Sequence, residues 1–116
     1  AAQRQGFETA AAADVQATLA AYTARTIAAG VLRDAPDAEA VYVCGGGALN
    51  GHLMSALQAA LPMPVLNTDE LGIAPMHVEA IAFAWLAMRF CHRLAGNLPA
   101  VTGATGSRVL GALYPA

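Results

Sequence analysis

The chain turns on Val41 to Leu53, VYVCGGGALNGHL. Val41-Tyr42-Val43 is an apolar, β-branched run of the kind that forms a short buried strand. It stops at three consecutive glycines, Gly45, Gly46 and Gly47. Asn50 follows where a helix N-cap belongs, and Leu53, Met54, Leu57 and Leu61 recur at helical spacing. A strand, a glycine turn and a helix start can bring backbone N–H groups up to a phosphate or a nucleotide. Glycine suits that role because it tolerates positive φ and lets a ligand come close to the main chain. The alternative is a tight strand-to-helix turn that binds nothing.

Downstream, the helix expected over Gly51–Ala60 ends at Pro62 and Pro64, and Val65-Leu66-Asn67 reads as a second short strand. Two strands joined by a helix should run parallel, with a right-handed crossover. Both carboxyl ends then point to one edge, which sets the glycine turn beside Thr68-Asp69-Glu70. Ligands of open α/β sheets collect at that edge. A long helix is expected over His77–Leu94, with Gly96 as its stop. Its apolar residues, Val78, Ile81, Phe83, Trp85, Leu86, Met88 and Phe90, wrap most of the way round, so burial on more than one side is expected. A glycine–threonine loop over Thr102–Ser107 and a short strand over Val109–Leu113 close the chain. Upstream, Asp14 is the candidate N-cap of a helix over Val15–Ala29, extending as far as Leu32. Pro36 blocks its continuation beyond the polar turn at Arg33–Asp37. Residues 1–13 are expected to be a flexible lead-in.

At 116 residues the chain can form one domain with a modest core. It carries six arginines and no lysine, scattered rather than clustered, with a net charge of -2; no nucleic-acid footprint is present. Apolar residues make up 57% and charged residues 12%, half the usual charged share of about 25%. Part of this surface is therefore expected to be covered by a partner or by more of the same protein. A membrane span is not the reason. The most apolar window, Ala80–Met88, is bracketed by Glu79 and Arg89 and falls short of the roughly 20 residues required. Cys44 and Cys91 form neither a CxxC pair nor a disulfide framework, which fits reduced thiols in a cytoplasmic protein.

Familiar site chemistries fit poorly. His52, His77 and His92 are far apart in sequence and no HxxxH, CxxC or HExxH pattern occurs, so no metal site is expected. Ser55 and Ser107 lack a nucleophile context. A Walker loop needs a lysine, and Asn50 stands where a dinucleotide fingerprint needs its third glycine. The carboxylates Asp69, Glu70 and Glu79 remain near the expected ligand edge. Each could act as a base, bind a sugar hydroxyl or hold Mg²⁺ through water. Equally, Asp69 could cap a turn and Glu79 could complement a helix N-terminus.

Five segments in order, VCGGGALNGHLMSAL, LNTDELGI, VEAIAFAWLAMR, GNLPAVTGATG and VLGALYP, resemble the C-terminal part of anhydro-N-acetylmuramic acid kinases. DVQATLAAYTARTIA resembles the helix leading into them, and the likeness runs from Asp14 to Pro115. These enzymes belong to the superfamily of sugar kinases, actin and heat-shock chaperone ATPases. The resemblance implies an α/β fold: a partial second lobe of an actin-like, ribonuclease H-like ATPase, helix-rich around a short parallel β-α-β core and a short C-terminal strand. It implies a kinase that uses ATP and Mg²⁺ to open the 1,6-anhydro ring of anhydro-N-acetylmuramic acid and phosphorylate its 6-oxygen, recycling cell-wall sugar in the bacterial cytoplasm. Gly45, Gly46 and Gly47 would contact the adenosine part of ATP, with Asn50 beside them. Glu79, in the segment matching the family's MEA, would contact sugar or water, and Asp69 is the second substrate-side candidate. Gly51 stands where the family usually has proline, and Val78 where it usually has methionine.

The family's phosphate-binding lobe and its water-activating aspartate have no counterpart in these residues. Residues 14–116 are thus expected to be a single partial C-terminal lobe, inactive alone, because phosphoryl transfer needs phosphates and metal positioned from both lobes. An uncovered sheet edge and apolar surface favour a homodimer or other self-association. The alternatives are a lobe of a chaperone-type ATPase, which would not share TDELGI and EAIAFAW, and a non-catalytic α/β interaction module.

Overall fold

A computed structural model describes residues 10–115. These residues are α/β and rich in helix, in the order α1 (Ala12–Asp34), β1 (Val41–Val43), α2 (Gly51–Ala60), β2 (Val65–Asn67), α3 (Val78–Cys91) and α4 (Pro99–Thr102). Short 3-10 turns occupy Gly46–Leu49, Thr68–Leu71 and Pro75–His77. The chain divides into two compact units, the first ending at Pro75 and the second starting at Met76.

In the first unit, alanine governs the packing. Ala24 and Ala28 of α1 are four residues apart and buried, and α1 packs on α2 through that face. Small side chains let the helix backbones approach closely, so Leu57 of α2 is buried to 1% exposure. Ala28, Leu61 and Met63 form the core cluster, with Val31, Ala38, Val41, Ala60 and Val65 half-buried against it. The strands pair in parallel as expected, Val41 with Val65, Tyr42 with Leu66 and Val43 with Asn67. The Gln58 side chain sets where β2 begins. Its Nε2 donates to the Met63 carbonyl at 3.1 Å, and its Oε1 accepts from the Val65 N–H at 2.9 Å.

Several expectations are corrected. The first helix begins at Ala12 and runs through Gly30 to Asp34, because one glycine costs only about 1 kcal/mol against a long alanine-rich run. Asp14 is therefore not its cap but an acid in its first turn, and the N-cap is Ala11, which makes no side-chain bond. Of the expected lead-in, Ala12 and Ala13 are helical, while residues 1–9 lie outside the described residues. The strand expected to be buried is only half-buried at Val41 and Val43 and exposed at Tyr42, because one sheet face has no covering layer among the described residues; Cys44 and Cys91 are exposed too.

In the second unit, α3 stops at Cys91. Arg93 takes the left-handed conformation (φ 56°), and the Leu94 N–H closes on the Arg89 carbonyl at 2.8 Å. Gly96 is not the stop. It is a point of close approach, where a Cβ would stand 3.1 Å from Leu86 and 3.3 Å from Leu110. Arg89 lies 5.2 Å from the Trp85 ring centre and donates from Nε to the Ala95 carbonyl at 2.7 Å. No residue of α3 is buried: Phe83 is 63% exposed and Trp85 48%. The all-round apolar character of this helix is real, but the described residues supply no second layer to cover it.

The strand expected over Val109–Leu113 does not form, since no other strand of the second unit is there to pair with it among the described residues. The segment is anchored by side-chain bonds instead. Asn97 donates from Nδ2 to the Gly106 carbonyl at 3.1 Å and accepts the Arg108 N–H on Oδ1 at 2.6 Å. The loop so closed holds the short α4, begun by Pro99. An apolar groove of about 490 Å³ runs between α3 and the tail, lined by Phe83, Leu86, Phe90, Leu110 and Leu113 among others.

Candidate functional site

The parallel register decides which candidates share an edge. Val43 pairs with Asn67, so the residues that follow them leave the sheet side by side. Gly45, Gly46, Gly47 and Asn50 emerge after β1, and Thr68, Asp69 and Glu70 after β2. The structure thus brings the glycine turn and Asp69 to one edge of the first unit. Glu79 belongs to the second unit, in the first turn of α3, where an acid complements the helix dipole.

The glycine turn has a defined geometry. Gly45 adopts φ 70°, ψ -169°, a region that is essentially glycine-only. Its N–H donates to the Pro75 carbonyl at 2.9 Å. Gly46 and Gly47 then open a 3-10 turn, so that turn offers their amides no internal acceptor. A Cβ built on Gly46 would meet nothing within 4 Å, and one on Gly47 would only touch Leu53 at 3.5 Å. The face at Gly46 is open main chain that a flat or charged ligand can approach.

Asn50 caps α2 as expected, its Oδ1 accepting the Leu53 N–H at 3.1 Å. Asn50 is otherwise exposed to solvent. Across the edge, Asn67 does similar work for the second turn, its Oδ1 accepting the Asp69 N–H at 2.9 Å. Gly72, left-handed at φ 76°, closes that turn by donating to the Asp69 carbonyl at 2.8 Å. The Asp69 and Glu70 side chains are left exposed to solvent.

Sequence reasoning missed three contributors. Thr68 is buried at 8% exposure, and its hydroxyl finds no hydrogen-bond partner among the described residues. The Asn67 cap was not foreseen, although an Asn side chain after a strand often accepts the backbone N–H two residues on. The Pro75 carbonyl, partner of Gly45, lies thirty residues away and left no local signal. Among the described residues no three His, Cys, Asp or Glu side chains converge on a metal-sized site, and no helix is long and apolar enough to cross a membrane.

Comparison with known proteins adds to this geometry. The family model for anhydro-N-acetylmuramic acid kinase matches residues 2–116. A Paraburkholderia xenovorans protein of that name is 61% identical over 109 residues, covering 89% of this chain and 29% of its own length. One from Burkholderia thailandensis is 55% identical over 119 residues, covering 98% of this chain and 31% of its own. One from Chromobacterium violaceum is 58% identical over 103 residues, covering 88% and 28%. The chain thus spans less than a third of the length of these curated relatives.

Proposed function

This chain belongs to the anhydro-N-acetylmuramic acid kinase family, and from that premise we propose that it serves an ATP-dependent kinase that opens the 1,6-anhydro ring of anhydro-N-acetylmuramic acid and phosphorylates the 6-oxygen. The match over residues 2–116 carries the proposal. It spans TDELGI and EAIAFAW, which a chaperone-type lobe is not expected to share. On this reading residues 14–116 form a partial second lobe of an actin-like ATPase, working in the bacterial cytoplasm. The chain represents under a third of its relatives' length, and no turnover is proposed for it alone.

Within that enzyme the glycine turn is the adenosine-side wall of the nucleotide cleft. The open main chain at Gly46 supports this, because a base or ribose can lie where any side chain would stand. Asn50 lines the rim, and Glu79 and Asp69 are the substrate-side carboxylates that orient sugar hydroxyls or a water. The described residues offer no cage of three metal-capable side chains. A Mg²⁺ arriving with ATP would be held mainly by the nucleotide rather than by these side chains, and would offset phosphate charge there. The exposed aromatic side chains of α3 support self-association or cover by other parts of the kinase. A chain that stays monomeric in sedimentation at high concentration would rule out the former.

Gly46→Val in the full-length enzyme tests the wall. The position has open space and does not need positive φ, so the fold should tolerate valine. We expect ATP affinity to fall about tenfold, or about 1.4 kcal/mol, with sugar affinity unchanged. Unchanged ATP affinity by calorimetry would make the turn purely structural.

A further inference from the structure

One polar side chain at the ligand edge makes no hydrogen bond. Thr68 is 8% exposed, and its hydroxyl is closed to solvent without a partner among the described residues. Such a group costs stability, because it loses its water and nothing replaces it. The fold has no use for the hydroxyl. Asn67 already caps the turn, its Oδ1 accepting the Asp69 N–H at 2.9 Å. The Thr68 carbonyl is engaged as well, accepting the Ile73 N–H at 3.1 Å. Valine has nearly the same shape, shares the β-branch that suits the end of a strand, and would leave nothing unpaired. The position of Thr68 is what gives the hydroxyl a use. Val43 pairs with Asn67, so Thr68 leaves the sheet beside Cys44, next to the start of the glycine turn. All of these residues belong to the first unit. Groups that break the pairing rule collect at functional sites, where the cost in stability is offset by function.

We propose that Thr68 is a nucleotide-binding residue, whose hydroxyl makes its hydrogen bond with the adenosine part of a bound nucleotide as the glycine turn adjusts around that ligand. The inference deepens the proposed kinase reading and rests on it. Register favours the nucleotide over the sugar, because the neighbour of Thr68 across the sheet is Cys44, which leads into the glycine turn. The turn has room to adjust, since a Cβ built on Gly45 or Gly46 would meet nothing within 4 Å. A threonine hydroxyl both donates and accepts, so a ribose hydroxyl or a ring nitrogen is an adequate partner. The bond is unmade in the ligand-free protein and made on binding, so the same hydroxyl lowers stability and raises affinity.

The test uses the full-length enzyme and two variants. Thr68→Val removes the hydroxyl and keeps the shape, whereas Thr68→Ser keeps the hydroxyl and removes a methyl group. Affinities for the β,γ-imido analogue of ATP and for anhydro-N-acetylmuramic acid are measured by calorimetry, and the ligand-free proteins are melted. Thr68→Val should raise the thermal midpoint by about 2 °C and weaken the nucleotide analogue about fivefold, the scale of one net hydrogen bond, with sugar affinity unchanged. Thr68→Ser should lower the midpoint and bind the analogue as wild type does, so that stability and affinity move in opposite directions in both variants relative to each other. A valine variant with wild-type nucleotide affinity would overturn the inference. So would one that melts earlier, because the hydroxyl would then already have a partner in the free protein. A loss of sugar affinity in place of nucleotide affinity would overturn the assignment to the nucleotide. Failure of the wild-type enzyme to bind the analogue would instead overturn the kinase reading, and the inference with it.

Discussion

Replacing Leu57 by alanine tests whether the first unit is held by the α1–α2 contact. Leu57 is the largest fully buried side chain described, at 1% exposure. The substitution removes three carbons, worth about 2.4 kcal/mol at about 0.8 kcal/mol per buried methylene. A cavity adds to this, since buried Leu→Ala changes elsewhere span about 2.7–5.0 kcal/mol. Two features of the site bear on where this case falls. The buried residues of α1 are Ala24 and Ala28, whose methyl groups cannot swing into a void. Leu53, Met54 and Ala56 on α2 are only half-buried and can settle. The expected loss is about 3 kcal/mol, a large part of the stability of an ordinary domain. Urea unfolding followed by far-ultraviolet circular dichroism measures it. Leu49→Ala, at a side chain 71% exposed, is the control and should stay within about 0.5 kcal/mol of wild type. A Leu57→Ala loss below about 1 kcal/mol would refute the view that this contact is the core.

Asn50→Ala should cost about 1 kcal/mol through loss of the bond to the Leu53 N–H, while Asn50→Asp restores most of it; both are read from urea midpoints. Gly72→Ala should cost about 1–2 kcal/mol because the residue is left-handed. The loosened turn should appear as faster amide exchange at Ile73, whose N–H donates to Thr68. Gln58→Ala removes both bonds that pin the start of β2, with an expected loss of about 1–2 kcal/mol and of exchange protection at Val65. Gln58→Glu keeps the acceptor and should recover the Val65 protection without the bond to Met63.

Much of the first unit is legible in the residues themselves. A β-branched triplet, a glycine run and an Asn followed by helical spacing are local signals, and they locate β1, the turn, the Asn50 cap and α2 to within a residue. The parallel pairing follows from connectivity, because a helix between two strands leaves little other choice. The second unit is less legible. Val109–Leu113 has the composition of a strand, but a strand exists only when another backbone accepts its hydrogen bonds, and here Asn97 and Gly96 take the Arg108 backbone instead. Apolar residues all round α3 predict a helix buried on several sides, but residue type does not supply a neighbour, and Phe83 and Trp85 are exposed.

The same division runs through the candidate site. The sequence by itself determined that a glycine turn and Asp69 lie at one sheet edge, and five ordered segments were enough to identify the family. Only the tertiary structure distinguished the glycines. Gly45 turns its amide onto a carbonyl thirty residues away, whereas Gly46 faces open space. Local residue types set which φ and ψ are accessible, but the partner of a backbone amide depends on where distant chain segments pack.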